Sequence, residues 1–249
     1  MTGLLRSEWI KLRSVRATYL TLGLTVVISV GAGAAIAASV GAAVKDGRWH
    51  GSYDPTAASF YALPFAQLVL AVGGVLAASC EYSTGTIRTS LTAVPRRGRF
   101  LAAKAAVFTL VTLAVGEATT FCCFLTAQPL LAASAGHASL GQPHVARAVI
   151  GTGIYLALIG LLGLALGSLL RHAAPAIAVI VALLFIPYEA ADALPAWLHE
   201  YLPTLAGAQV SNVIPARGAL PAWAGLGLMA ALTATALIAA LIRLCATDT

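Results

Sequence analysis

The sequence predicts an all-α integral membrane protein: six transmembrane helices in a single domain, residues 1–249. Three observations predict it. Of the 249 residues, 59% are hydrophobic and 10% charged, against about a quarter charged in an average soluble domain. A sphere of this size cannot hide that much apolar surface from water, which excludes a soluble globular enzyme. Disorder is excluded as well, because it needs low hydrophobicity. Second, the apolar residues fall in blocks of about 20 or more, enough at 1.5 Å per residue to cross a hydrocarbon core of about 30 Å. Third, the blocks lack the period-two alternation of a transmembrane barrel strand.

The first element is the stretch 3–16, ahead of any span. At 100° per residue Leu4, Leu5, Trp9, Leu12 and Val15 fall on one arc, with Arg6, Lys11 and Arg13 on the rest; Glu8 and Arg16 intrude on the apolar arc and Ile10 lies outside it. A basic helix with Trp9 on its apolar side predicts an interfacial helix, either a plain anchor or a surface that a partner also touches. The spans follow at residues 18–44, 59–79, 105–134, 148–170, 175–194 and 221–242. A signal peptide has a much shorter apolar region than 18–44, so the first block is expected to remain as a span. Glycine and alanine fill the spans, as at Gly31, Gly33, Gly160, Gly163 and Gly167; they predict close helix packing, or a dimer face.

Charge sets the expected orientation. Arg6, Lys11, Arg13, Arg16, Arg88, Arg96, Arg97, Arg99, Lys104, Arg171 and Arg243 fall on one side of the six spans, and Lys45, Arg48, Arg147 and Arg217 on the other. The positive-inside rule puts the first set, and both termini, in the cytoplasm. The net charge of +6 then reads as topology and attraction to anionic lipid in the bilayer. No nucleic acid is expected as a partner, since the cations flank spans instead of covering a soluble face.

The segment 80–104 is the most informative. Gly85 should break the second span, Thr86–Thr92 has room for two short turns, and Pro95 pushes Val94 out of helical geometry. A short helix with Ile87 and Leu91 at i, i+4 and Arg88 beside them makes a compact docking knob. The plainer alternative is a basic loop that only fixes topology. Residues 188–220 form a long outer segment whose prolines and aromatic residues suggest short helices at the interface or dipping into it, with Pro187 and Pro195 interrupting the end of the fifth span.

Chemistry is mostly absent. None of the lysines, Lys11, Lys45 and Lys104, follows a glycine, so there is no phosphate loop. No metalloprotease, nucleophile-elbow or paired-carboxylate motif occurs. His50, His137, His144 and His199 fall in outer loops and read as interfacial polar residues before metal ligands. Cys80, Cys122, Cys123 and Cys245 have no Cys-x-x-Cys spacing and read as small buried hydrophobes. Glu117 is the one acid deep in a span, with Thr119, Thr120 and Gln128 along the same helix. It is either a protonated carboxyl bonded to a neighbouring helix or part of a substrate or proton path.

Glu8-Trp9-Ile10-Lys11-Leu12-Arg13 before the first span, and Glu81, Gly85-Thr86-Ile87-Arg88, Leu91, Pro95-Arg96-Arg97 and Lys104 after the second, resemble the membrane subunit of ABC-2 type transporters, in the bacterial form whose ATPase is a separate chain. The resemblance implies a type V exporter-like fold with an interfacial N-terminal helix, a cytoplasmic coupling helix between spans two and three, and short outer helices between spans five and six. It implies coupling roles for Thr86, Ile87, Arg88 and Leu91, framed by Glu81 and by Pro95, Arg96 and Arg97. It implies a bacterial plasma membrane, two permease subunits (identical or different) with two P-loop ATPase subunits, export of a drug, peptide, lipid or glycan, and ATP on the partner, with no cofactor or enzymatic activity in this chain. Alternatives are a six-span secondary carrier, disfavoured by a lone intramembrane acid and no visible repeat, and a non-transporting membrane scaffold or immunity protein. A membrane enzyme lacks any nucleophile or metal constellation.

Overall fold

The computed structural model describes residues 2–14, 16–48, 53–87, 92, 97–132, 136–189, 201–214, 218 and 220–246, and among these it is helical with no strand. The helices are α1 (Thr2–Ser14), α2 (Arg16–Lys45), α3 (Pro55–Ala58), α4 (Leu63–Ser83), α5 (Arg97–Ala132), α6 (Val145–Leu170), α7 (Ala173–Glu189), α8 (Pro203–Ala208) and α9 (Ala222–Ala246), with a 3₁₀ turn at Gln209–Ser211 after α8. Among the described residues five helices are long and apolar enough to cross a membrane: α2 over Tyr19–Lys45, α4, α5 over Arg97–Leu131, α6 and α9. Of the fifth expected span, 175–194, the described part is the shorter apolar helix Ala173–Pro187, and the expected run past Glu189 lies outside the described residues. Pro187 does not stop α7, which continues to Glu189. A proline this close to the end removes only one bond of the helix ladder.

The long helix α6 is the axis. Its apolar window is 72% buried, against 22% for α2 and 28% for α9, and α4, α5, α7 and α9 all pack on it. Glycine permits this. A Cβ on Gly74 of α4 would overlap the Gly160 carbonyl of α6, and one on Gly163 would overlap the Ala71 carbonyl; a Cβ on Gly167 would lie 2.6 Å from the Val75 oxygen. The α5 crossing is built the same way, with a Cβ on Gly116 falling 2.8 Å from the Gly153 oxygen. The small residues at Gly160, Gly163 and Gly167 therefore pack helices within the subunit. Around this core, α2 leaves Tyr19, Leu20, Leu24, Val27 and Ile28 exposed, and α9 leaves Trp223, Ile238 and Ile242 exposed. Contiguous apolar faces of this kind need a covering that is not water.

Bonds between helix ends define two poles. At the basic pole Arg97 Nη1 donates to the Leu244 carbonyl at 2.7 Å, Arg243 to the Leu169 carbonyl, and Arg171 to the Arg243 carbonyl at 3.4 Å. Guanidinium groups thus meet the otherwise unbonded carbonyls at the C-termini of α6 and α9, where the helix dipole favours a cation. At the opposite pole Asp54 caps α3 through the Thr56 and Ala57 amides and also accepts from the Val213 and Ile214 amides at 2.7 and 2.9 Å. Gln128 donates to the Pro55 carbonyl and Ser59 hydroxyl and accepts from the Ala138 amide, while Arg147 donates to the Asn212 carbonyl. Short α8 is buried between α9 and α7, with Gly225 of α9 admitting its backbone.

Candidate functional site

The basic pole holds the candidate site, and Glu8 is its unexpected centre. Helix α1 turns Leu4, Glu8, Lys11 and Leu12 toward the bundle and leaves Leu5, Trp9, Ile10 and Arg13 exposed. These inward positions are spaced i, i+4, i+7, i+8, one helical stripe. Glu8, the residue that breaks the apolar arc in the sequence, is 2% exposed.

Its carboxylate meets two ammonium groups, Lys11 Nζ at 2.7 Å and Lys104 Nζ of α5 at 2.8 Å. Glu81 Oε1, near the end of α4, accepts from both as well, each at 2.9 Å. The Phe100 ring lies 5.5 Å from Lys11 Nζ and 5.7 Å from Lys104 Nζ, within cation–π range. Two acids and two lysines thus form a neutral cluster that joins α1, α4 and α5. Burial by itself pushes the Glu8 carboxyl up, but the ammonium groups of Lys104 and Lys11 outweigh it and hold the carboxyl below its ordinary 4.5. Burial likewise pulls Lys11 down, and its bonds to Glu8 and Glu81 overcome that and raise it above 10.5.

The chain leaves α4 beside this cluster. Thr84 caps the helix with its amide on the Cys80 carbonyl, and Gly85 follows at φ +72°, the left-handed position that favours glycine after a helix C-terminus. Gly85 therefore ends α4, as expected from sequence. Thr86 shares a hydroxyl bond with Thr84 at 3.0 Å. Ile87 is 5% exposed and packs against Phe100 and Leu101 of α5 and Ala240 and Leu244 of α9. The Ile87 side chain thus anchors this turn inward. Arg88, Leu91, Pro95 and Arg96 lie outside the described residues. Arg97 opens α5 and ties it to α9. So Glu81, Ile87, Arg97 and Lys104 come together with Lys11 at one pole, while Trp9 and Arg13 sit on the outer face of α1.

Glu117 lies elsewhere, mid-way along α5. Its carboxyl fits against Gly153 of α6, where a Cβ would lie 2.7 Å from Oε2, and that oxygen has no hydrogen-bond partner among the described residues. Thr119 and Thr120 turn their hydroxyls back onto their own helix. Among the described residues no three His, Cys, Asp or Glu side chains gather as metal ligands. The cysteines are unpaired, and only Cys123 is buried; Cys80, Cys122 and Cys245 are exposed, contrary to the expectation of four buried side chains. Sequence reasoning missed the Glu8–Lys104 pair and the Asp54 knot. The signal for Glu8 was present: an acid inside an apolar arc needs a buried cation. No protein-family model matches the chain, and no curated protein matches it.

Proposed function

We propose that the chain is the permease subunit of an ABC-2 type ATP-binding cassette exporter, dimeric in a bacterial plasma membrane and driven by P-loop ATPase subunits on separate chains. The observation that carries the reading is the ion cluster with its surroundings. A push on the 84–97 segment is felt at once by α4 and α5 through Glu81 and Lys104, by α1 through Glu8, and by α9 through Ile87 and Arg97. A basic segment whose described ends, Ile87 and Arg97, are fastened among these helices is what a cytoplasmic motor needs in order to tilt them together.

The six-span count belongs to the same reading. The chain enters α7 beside Arg171 at the basic pole and is at the opposite pole by Val213. In this reading the stretch beginning with α7 is the sixth crossing, and α9 returns to the basic pole, where Arg97 meets its end. The basic pole is cytoplasmic in this reading.

ATP closes the partner dimer, the docked segment moves with it, and the cluster passes the movement to α1, α4 and α5. Arg88 and Arg96 carry the partner contact. Purification from the native membrane in mild detergent, followed by mass spectrometry, tests this. A roughly stoichiometric P-loop ATPase is expected with the unaltered chain and lost with Arg88→Glu/Arg96→Glu. If no ATPase accompanies the intact chain, the exporter reading falls, and the carrier or scaffold takes its place. Ile87 is left out of the variant because its truncation would cost about 2–4 kcal/mol of packing and confuse docking with folding.

A further inference from the structure

At the pole opposite the ion cluster, a cavity of about 360 Å³ opens among α4, α6, α7 and the turn after α8. Phe60, Tyr61 and Phe185 supply aromatic walls, and no charged residue lines it among the described residues. Its volume lies in the range of small-molecule sites, about 300–1,000 Å³.

One polar device sits in this apolar wall. Gln67, 6% exposed, donates from Nε2 to the Tyr155 hydroxyl at 3.3 Å. Tyr155, 2% exposed, donates in turn to the Thr204 carbonyl at 3.0 Å. A phenol has one proton, and the carbonyl takes it, so the Tyr155 oxygen accepts from Gln67. That fixes the amide: the nitrogen faces Tyr155 and the carbonyl oxygen faces away from it. Gln67 lines the cavity, and its Oε1 accepts no bond from any described residue. A nearly buried acceptor without a donor invites one, because leaving it unmatched in an apolar site is costly.

We propose that this cavity binds a small uncharged, mostly apolar molecule carrying one hydroxyl or N–H, whose donor meets Gln67 Oε1 while its apolar body lies against Phe60, Tyr61 and Phe185. A charged group would lose its water and find no counter-charge among the described lining residues. Both a free hydroxylated aromatic and the hydroxyl of a neutral lipid offer this chemistry. The inference is independent of the exporter reading, since it uses nothing at the basic pole.

Three probes with one ring system test it: 1-naphthol, naphthalene and 1-naphthoate, titrated by fluorescence against the full chain in phosphatidylcholine nanodiscs, with empty discs subtracted. Naphthol is expected to bind about fivefold more tightly than naphthalene, the worth of one net hydrogen bond, and naphthoate not to bind. Gln67→Leu should erase the naphthol preference and keep naphthalene binding. Ala208→Trp, which fills the cavity from its wall, should abolish both. Discs containing diacylglycerol separate the sources: competition with naphthol identifies a lipid alcohol, and undiminished naphthol binding a free solute. Equal binding of naphthol and naphthalene by the unaltered chain overturns the proposal without recourse to either variant. So does unchanged binding in Ala208→Trp.

Discussion

Lys104 is nearly buried between two carboxylates, 2.8 Å from Glu8 and 2.9 Å from Glu81. A lysine in such a place is held by its partners, and they by it. Taking two ions out of water costs several kcal/mol each, so the intact cluster adds little net stability over an apolar replacement. Breaking it is another matter. Lys104→Met leaves two buried acids facing the half-exposed Lys11 alone, and the expected loss is about 3 kcal/mol. Glu8→Leu/Lys104→Met removes one charge of each sign and restores neutrality, so its loss should be smaller than the sum of the two single losses. Thermal unfolding of the four proteins in one detergent measures this. Strictly additive losses would mean that the two side chains do not act as a pair.

The helix α1 has few other ties to the bundle, which makes its docking a function of pH. The groups facing Glu8 are Lys11 on its own helix, Lys104 and Phe100 on α5, and, through the lysines, Glu81 on α4. Glu8 is held below its ordinary 4.5 in the folded chain. A depressed carboxyl stabilises docking fully above that ordinary value, and the contribution is lost as pH falls through the lowered one. Lys11 is raised above 10.5, so its share persists below that value and disappears only in strong alkali. A spin label on Ser7→Cys should therefore be immobile at neutral pH and become mobile on acidification below about 4.5, the ordinary Glu8 value. Glu8→Gln should be mobile already at neutral pH. A label equally immobile at pH 3 and 7 would show that apolar packing, not Glu8, holds α1. The sequence pattern placed this helix ahead of the first span and marked an apolar arc on it. It did not reveal which face meets the protein, because the arc is split: Leu5 and Trp9 are left outward, while Leu4 and Leu12 turn inward on a mixed stripe with Glu8 and Lys11. An apolar arc tells how a helix lies at an oil–water boundary, whereas this helix has a third neighbour, a buried ion cluster, to which the spacing of apolar residues is blind.

For the molecule as a whole, the long apolar helices and the break at Gly85 were legible because length, hydropathy and backbone sterics are local properties. The role of Gly160 and Gly163 was half legible: small residues announced close approach, but only the fold assigns that approach to α4 and α5 instead of a second subunit. The fastenings at both poles were illegible, since Glu8–Lys104, Asp54–Val213 and Arg97–Leu244 join residues far apart in sequence. Those same fastenings constrain topology. Arg97 binds the end of α9 beside the cluster that holds α1, so α1 and the end of α9 lie at one pole, and the six-crossing reading proposed above is the one that agrees with an even count. Five long helices alone would leave it odd. Apolar α7, Ala173–Pro187, reaches only about 22 Å at 1.5 Å per residue, about a quarter short of a full hydrocarbon core, and in the six-crossing reading local thinning of the bilayer accommodates the deficit. Reporter fusions decide the matter. A fluorescent protein that matures only in the cytoplasm should glow when fused at either terminus, and alkaline phosphatase should be active when inserted between Gly141 and Gln142. Phosphatase activity at the C-terminus with fluorescence at the N-terminus would require five crossings, and α7 would then have to turn back within the membrane.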